Sequence, residues 1–143
     1  MGTVKNILQT KGNMVHSICP DCSVYEALET LEDKNVGALV VLDNEHRLIG
    51  VFTERDYARK VVLKGRSSKE VMVMDIMGDR PVSVSPSTSI DDCMQLMTDK
   101  LVRHLPVVEN DKVIGIISIG DIVRFILSEK DFIISNLEHY IVS

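Results

Sequence analysis

The chain has 143 residues, 45% of them hydrophobic but only 4% aromatic, with no tryptophan. That suffices for one domain, or two small ones sharing a core, packed by aliphatic side chains and methionine. Twenty-one acids against sixteen bases give a net charge of -5, which excludes the broad basic footprint of a nucleic-acid binder but not one local anion site.

In chain order, the leader "MGTVKNILQTKGNM" lacks the apolar run and cleavage site of a signal peptide. No window is long enough to span a membrane, so the cytoplasm is the expected compartment. "VKNIL", from Val4, begins a leader helix, and residues 15–18 read as an opening strand. Cys19-Pro20-Asp21-Cys22 makes a turn; with Cys93 the cysteines number three, so a disulfide scaffold is not expected. Ser23 with Glu26 forms a capping box ahead of Val24, Ala27, Leu28 and Leu31, the spacing of an amphipathic helix. "ALVVL" predicts a strand, "DNEH" a turn and "RLIGVF" its hairpin partner. A helix is expected over about residues 54–63, followed by the polar surface linker "KGRSSKEV". A second opening strand over residues 82–84 leads to a helix capped by Ser89 and Asp92, with Ile90, Cys93, Met94 and Met97 as its stripe. "HLPVV", "END" and "KVIGIIS" repeat the hairpin, and a last helix covers about residues 119–128. In the tail, Phe132, Ile133, Leu137, Tyr140 and Ile141 keep a roughly helical period, suited to capping the fold or to a dimer interface.

The two halves are copies. Residues from Cys19 match those from Ser85 at an offset of 66, which becomes 65 after one position drops out near His46. Pro20 meets Pro86, Val41 meets Val107, Gly50 meets Gly115 and Asp56 meets Asp121, while "VKNIL" resembles "VMDIM" from Val73. An α+β fold of two β-α-β-β-α modules follows. One module leaves an apolar sheet face bare; two can bury those faces around a pseudo-twofold axis. The expected parts are residues 1–66 (first module, leader helix and start of the linker), 67–128 (second module) and 129–143 (helical tail).

"GVFTERDYARK" and its later counterpart carry the candidate chemistry. Thr53 with Asp56, and Ser118 with Asp121, read first as capping boxes. A helix N-terminus also accommodates phosphate, Arg55 adds a bidentate donor, and an Asp carboxylate can accept ribose hydroxyls. Gly120 stands where the first copy has Arg55, so the two sites should differ in anion affinity. Gly37-Ala38 removes bulk where one hairpin begins, leaving room for an adenine, while Arg103-His104 supplies donors at the equivalent place. Lys11-Gly12 offers a weaker signal, a further cation with a close backbone approach.

These residues resemble the CBS-domain pair, the regulatory module named after cystathionine beta-synthase, and the resemblance covers nearly all of the chain. It implies a disc-like pair of modules with two related cleft sites for adenosine-containing ligands. Asp56 and Asp121 would hold ribose, and Thr53 and Ser118 would line phosphate or sugar. Arg55, Arg103 and His104 match polar cleft positions, and Val15, His16, Gly37 and Ala38 match positions enclosing the base. The resemblance further implies a homodimer. The function expected is a non-catalytic adenine-nucleotide sensor with no prosthetic group, AMP being the leading ligand and ATP, ADP, NAD or S-adenosylmethionine the others. Occupancy would change a surface read by a downstream protein.

Two other readings stand beside it: a constitutive interaction scaffold without ligand, and a redox-responsive protein built on Cys19 and Cys22. The four histidines are scattered and form no metal pattern, and no nucleophile–base pair points to an enzyme.

Overall fold

The computed structural model describes residues 2–78 and 81–142, without the side chains of residues 140–142. In the first copy, β1 (Ser17–Ile18) runs parallel to β2 (Ala38–Leu42), which pairs antiparallel with β3 (Leu48–Thr53). Between β1 and β2, α2 (Val24–Lys34) starts where the Ser23 hydroxyl accepts the Glu26 amide at 3.1 Å. It buries Val24, Ala27 and Leu31 against Leu39, Val41 and Phe52. The second copy repeats this with α4 (Ile90–Lys100), whose Ser89 cap accepts from Asp92, and the hairpin β4 (His104–Glu109) and β5 (Lys112–Ser118). Ala38 and Val40, on the alternate face of β2, are buried as well, so that strand is covered on both sides.

The opening strands are shorter than expected. Only Ser17 and Ile18 ladder in the first copy, and Val84 makes a single parallel bridge to Val107 in the second. Both hairpins carry a bulge opposite their glycines, Val41 facing Gly50 and Val107 facing Gly115.

The leaders are exchanged between the copies. The leader helix α1 (Val4–Lys11) precedes the first copy, yet Val4 and Ile7 lie in the second core with Ile90, Leu105 and Ile117. Reciprocally Val71, Val73 and Ile76, around a short 3-10 turn (Val73–Asp75), complete the first core. The hydrogen bonds repeat the exchange. The Val4 and Lys5 amides donate to the carbonyls of Thr88 and Pro86 at 2.9 Å each. The Val73 and Met74 amides donate to Cys22 and Pro20, also at 2.9 Å each.

The repeated glycines follow from that exchange. A Cβ on Gly115 would stand 2.8 Å from Leu8 Cδ2, and one on Gly50 would stand 2.5 Å from Met77 Sδ and 2.9 Å from the Gly78 carbonyl. Each hairpin is bare at the point where the other copy's leader crosses it.

After β3 the chain forms α3 (Glu54–Tyr57) and then a wider π turn (Ala58–Val62). After β5, α5 (Ile119–Val142) continues unbroken for 24 residues, so the last helix and the tail are one element. Its residues Phe132, Ile133, Ile134 and Leu137 are exposed; the side chains of Tyr140 and Ile141, expected on the same period, lie outside the described residues. Among the described residues no helix is long and apolar enough to cross a membrane.

Candidate functional site

Both strand–helix junctions close as capping boxes. Thr53 Oγ1 accepts the Asp56 amide at 3.2 Å, and Asp56 Oδ2 accepts from the Thr53 amide and hydroxyl at 3.1 Å each. Ser118 Oγ accepts the Asp121 amide at 3.1 Å, and Asp121 Oδ2 accepts the Ser118 amide at 2.8 Å. The hairpin registers bring the next predicted pair alongside: Ala38 lies opposite Thr53 and His104 opposite Ser118.

The carboxylates differ in what else they hold. Asp56 Oδ1 faces Lys60 Nζ at 3.5 Å, and that ammonium donates to the Ile76 carbonyl at 2.7 Å. Asp121 has a side chain only 5% exposed and meets two cations: Lys11 Nζ at 2.7 Å on Oδ2 and Arg124 at 2.5 Å on Oδ1. Lys11 also donates to the Ile116 carbonyl at 2.6 Å. Burial works to raise the Asp121 carboxyl, but Lys11, the Ser118 amide and Arg124 outweigh it and hold it below the usual carboxylate range. The first carboxylate is the more open of the two, and Arg55 beside it is exposed with no ion-pair partner among the described residues.

The Arg124 guanidinium lies over Gly120, whose Cβ would stand 3.4 Å from Arg124 Nη1. The second junction thus draws a guanidinium from one turn further along α5. Sequence reading missed Arg124 and Lys60, although i+3 and i+4 spacing from each aspartate was a usable signal. It underrated Lys11, which reaches Asp121 only because the leaders are exchanged.

Across the copies, Gly37 meets His104: a Cβ there would lie 3.4 Å from His104 Nε2. Burial lowers the pKa of His104, Lys11 and Arg103 lower it further, and Asp121 opposes them. Gly37, His104, Arg103, Ser118, Asp121 and Lys11 therefore share one neighbourhood, supplied by both copies and the leader. Arg103 contributes its carbonyl to the Ile119 amide at 2.9 Å, and its side chain is exposed. Val15 and His16 are half-buried just before β1, where the His16 carbonyl accepts the Val40 amide at 3.1 Å. Neither is joined to the second junction by a hydrogen bond.

A groove of about 700 Å³ runs between α1 and α5 past Ile7, Lys11, Asp121, Arg124, Phe125 and Phe132. Of the candidate residues it contains Asp121 and the weaker candidate Lys11; another groove, about 530 Å³, flanks the turn at Ser85–Ser87 and contains none.

Cys19 and Cys22, read from the sequence as part of a turn or alternatively as a redox pair, are joined as a disulfide. The four-residue turn brings their Cα atoms to 5.3 Å, within the range a disulfide spans. With Asp21 they form a group of potential metal ligands within 4.8 Å of one another, but the two sulfurs are bonded to each other.

A family profile of the CBS domain matches residues 4–63 and 73–128. The chain is 39% identical to the CBS domain-containing protein CBSX3, mitochondrial, of Arabidopsis thaliana, over 97% of this chain and 71% of that protein. A solved CBS-domain protein from Burkholderia ambifaria MC40-6 superposes with a TM-score of 0.84 at 44% identity, covering 88% of this chain and 94% of the other. For the CBS-domain containing protein ATU1752 from Agrobacterium tumefaciens the values are 0.81 and 39%, with 85% and 91% covered.

Proposed function

The chain belongs to the CBS-domain family, and from that premise we propose that it senses an adenosine-containing ligand, AMP or a related adenosine phosphate first. A tandem CBS pair is a non-catalytic regulatory module, so the finer questions are which ligand it holds and where. The observation that carries the reading is the meeting of Gly37 with His104 beside Asp121, a composite polar neighbourhood with a residue free of bulk. In this reading Val15, His16, Gly37 and Ala38 enclose the base, and Asp56 and Asp121 take the ribose hydroxyls. Thr53 and Ser118 line the sugar or phosphate. Arg55, Arg103 and His104 supply donors, joined by Lys11 and Arg124 at the second junction.

Calorimetry against AMP, ADP, ATP, NAD and S-adenosylmethionine tests it. AMP should bind, and Arg55→Ala should weaken AMP by roughly 10- to 150-fold while leaving adenosine unchanged, because a charge-assisted bond to phosphate is worth roughly 1.5–3 kcal/mol. Binding by none of the five at millimolar concentration would leave a ligand-free interaction scaffold.

The exposed apolar residues of α5 support a homodimer, its altered surface read by a downstream protein. Light scattering should return about twice the 16.0 kDa chain mass, and a persistent single mass would reject the dimer. The pairing of Cys19 with Cys22 favours a second reading, a redox-responsive protein.

A further inference from the structure

The turn before each copy's first full helix is built alike and closed differently. In the second copy Ser85 and Thr88 close it with hydroxyls: Thr88 Oγ1 accepts the Ser85 amide at 3.0 Å, and the two hydroxyls stand 3.2 Å apart. In the first copy Cys19 and Cys22 hold those positions and are covalently joined. Pro20 and Pro86 match between them. Both turns also present two carbonyls to the exchanged leader, Pro20 and Cys22 receiving Met74 and Val73. A bond that depends on redox state therefore sits on the residues that dock the end of the linker onto the first core.

We propose that Cys19–Cys22 is a thiol–disulfide exchange site for a dithiol reductant, and that its state is read out at Val73 and Met74. This rests on the redox-responsive reading and adds to it the partner's chemistry and the responding segment. Cys19 is exposed, so the reductant's thiolate can attack its Sγ. That attack forms a mixed disulfide and expels Cys22 as thiolate. Cys22 is half-buried beside Ser23, the N-cap of the 11-residue α2, where the helix dipole favours negative charge. The reductant's second thiol then attacks the mixed disulfide, releases Cys19 and leaves as a disulfide. Two electrons and two protons pass from the dithiol to the cysteines. Cys93 is a silent third thiol: it is buried, and burial, with Asp92 adding to it, pushes its pKa up to about 11.

The test equilibrates the full-length protein in dithiothreitol and in glutathione redox buffers and quenches with N-ethylmaleimide. Mass spectrometry counts blocked thiols, while amide hydrogen exchange is followed at Val73 and Met74. The folded protein should pass from no blocked thiols to two, never three, along a two-electron curve, with dithiothreitol acting faster than glutathione. Exchange at Val73 and Met74 should quicken several-fold on reduction. The double variant Cys19→Ser with Cys22→Thr, which installs the second copy's hydroxyl closure, should remain folded and show no redox dependence at those amides. A pair that stays oxidised, or stays reduced, across the series overturns the redox reading itself. A clean two-electron transition with unchanged exchange at Val73 and Met74 overturns the read-out and leaves that reading standing. Glutathione as fast as dithiothreitol overturns the dithiol assignment.

Discussion

His104 and Asp121 share one cluster of charge, and both ionise at lower pH than usual with opposite consequences for their charge. The Asp121 carboxylate stays ionised because its cations and the Ser118 amide outweigh burial. Its stabilising effect is present above the ordinary carboxylate value near 4 and is lost as pH falls through the lowered folded value. His104 stays neutral because burial, Lys11 and Arg103 oppose its proton more than Asp121 invites it. Below its ordinary value of about 6.5 the unfolded chain takes that proton first, so stability is lost as pH falls through the lowered folded pKa. Thermal melts of the wild type should therefore drop as pH falls below about 6.5, and His104→Gln should flatten that part of the profile. An unchanged slope in the variant would remove His104 as the responsible group. The local half of this site was legible in the sequence, because the capping boxes depend on residues three apart. The Lys11 contact was not: it joins residues 110 apart through an exchange that local spacing cannot encode.

At the scale of elements, the matched glycines show how a repeat can be read correctly and still lack its reason. Neither Gly50 nor Gly115 has a positive φ, so each is required by close approach rather than by backbone conformation. Gly115→Ala presses on the end of Leu8, a side chain that can turn aside. Gly50→Ala presses on the Gly78 carbonyl as well as on Met77, and backbone yields less readily. Overpacking of this kind costs about 1–3 kcal/mol, and urea unfolding should place Gly50→Ala at the upper end of that range and Gly115→Ala at the lower. The reverse order would mean that the leader contacts do not set the cost. The helices and hairpins were legible from capping boxes, apolar spacing and turn residues. The end of the last helix was not, since nothing around Ser128-Glu129-Lys130 breaks a helix: no glycine or proline stands there, and the tail keeps the same period. The same absence of a stop signal gives α5 a length of about 36 Å, with Phe132, Ile133, Ile134 and Leu137 exposed along its second half.

At the scale of the molecule, exchanging leaders means that neither core is encoded by one continuous half of the chain. Residues 1–66 contain α2 and its hairpin but lack Val71, Val73 and Ile76, which are 4%, 0% and 2% exposed in the first core. Burying such side chains is worth about 1.5–3 kcal/mol each. Their loss is therefore on the order of 5–9 kcal/mol, comparable with the entire stability of a small domain. The same fragment keeps Val4 and Ile7, which belong in the second core and would have nothing to pack against. Residues 13–78 form a fragment of equal length with the opposite character: α1 is gone, and the borrowed segment through Met77 and Gly78 is present. Expressed separately, 13–78 should show the more cooperative urea transition, and 1–66 should unfold gradually or aggregate. A single sharp transition for 1–66, at a midpoint equal to or above that of 13–78, would show that the borrowed segment is dispensable and that the copies are independent folding units.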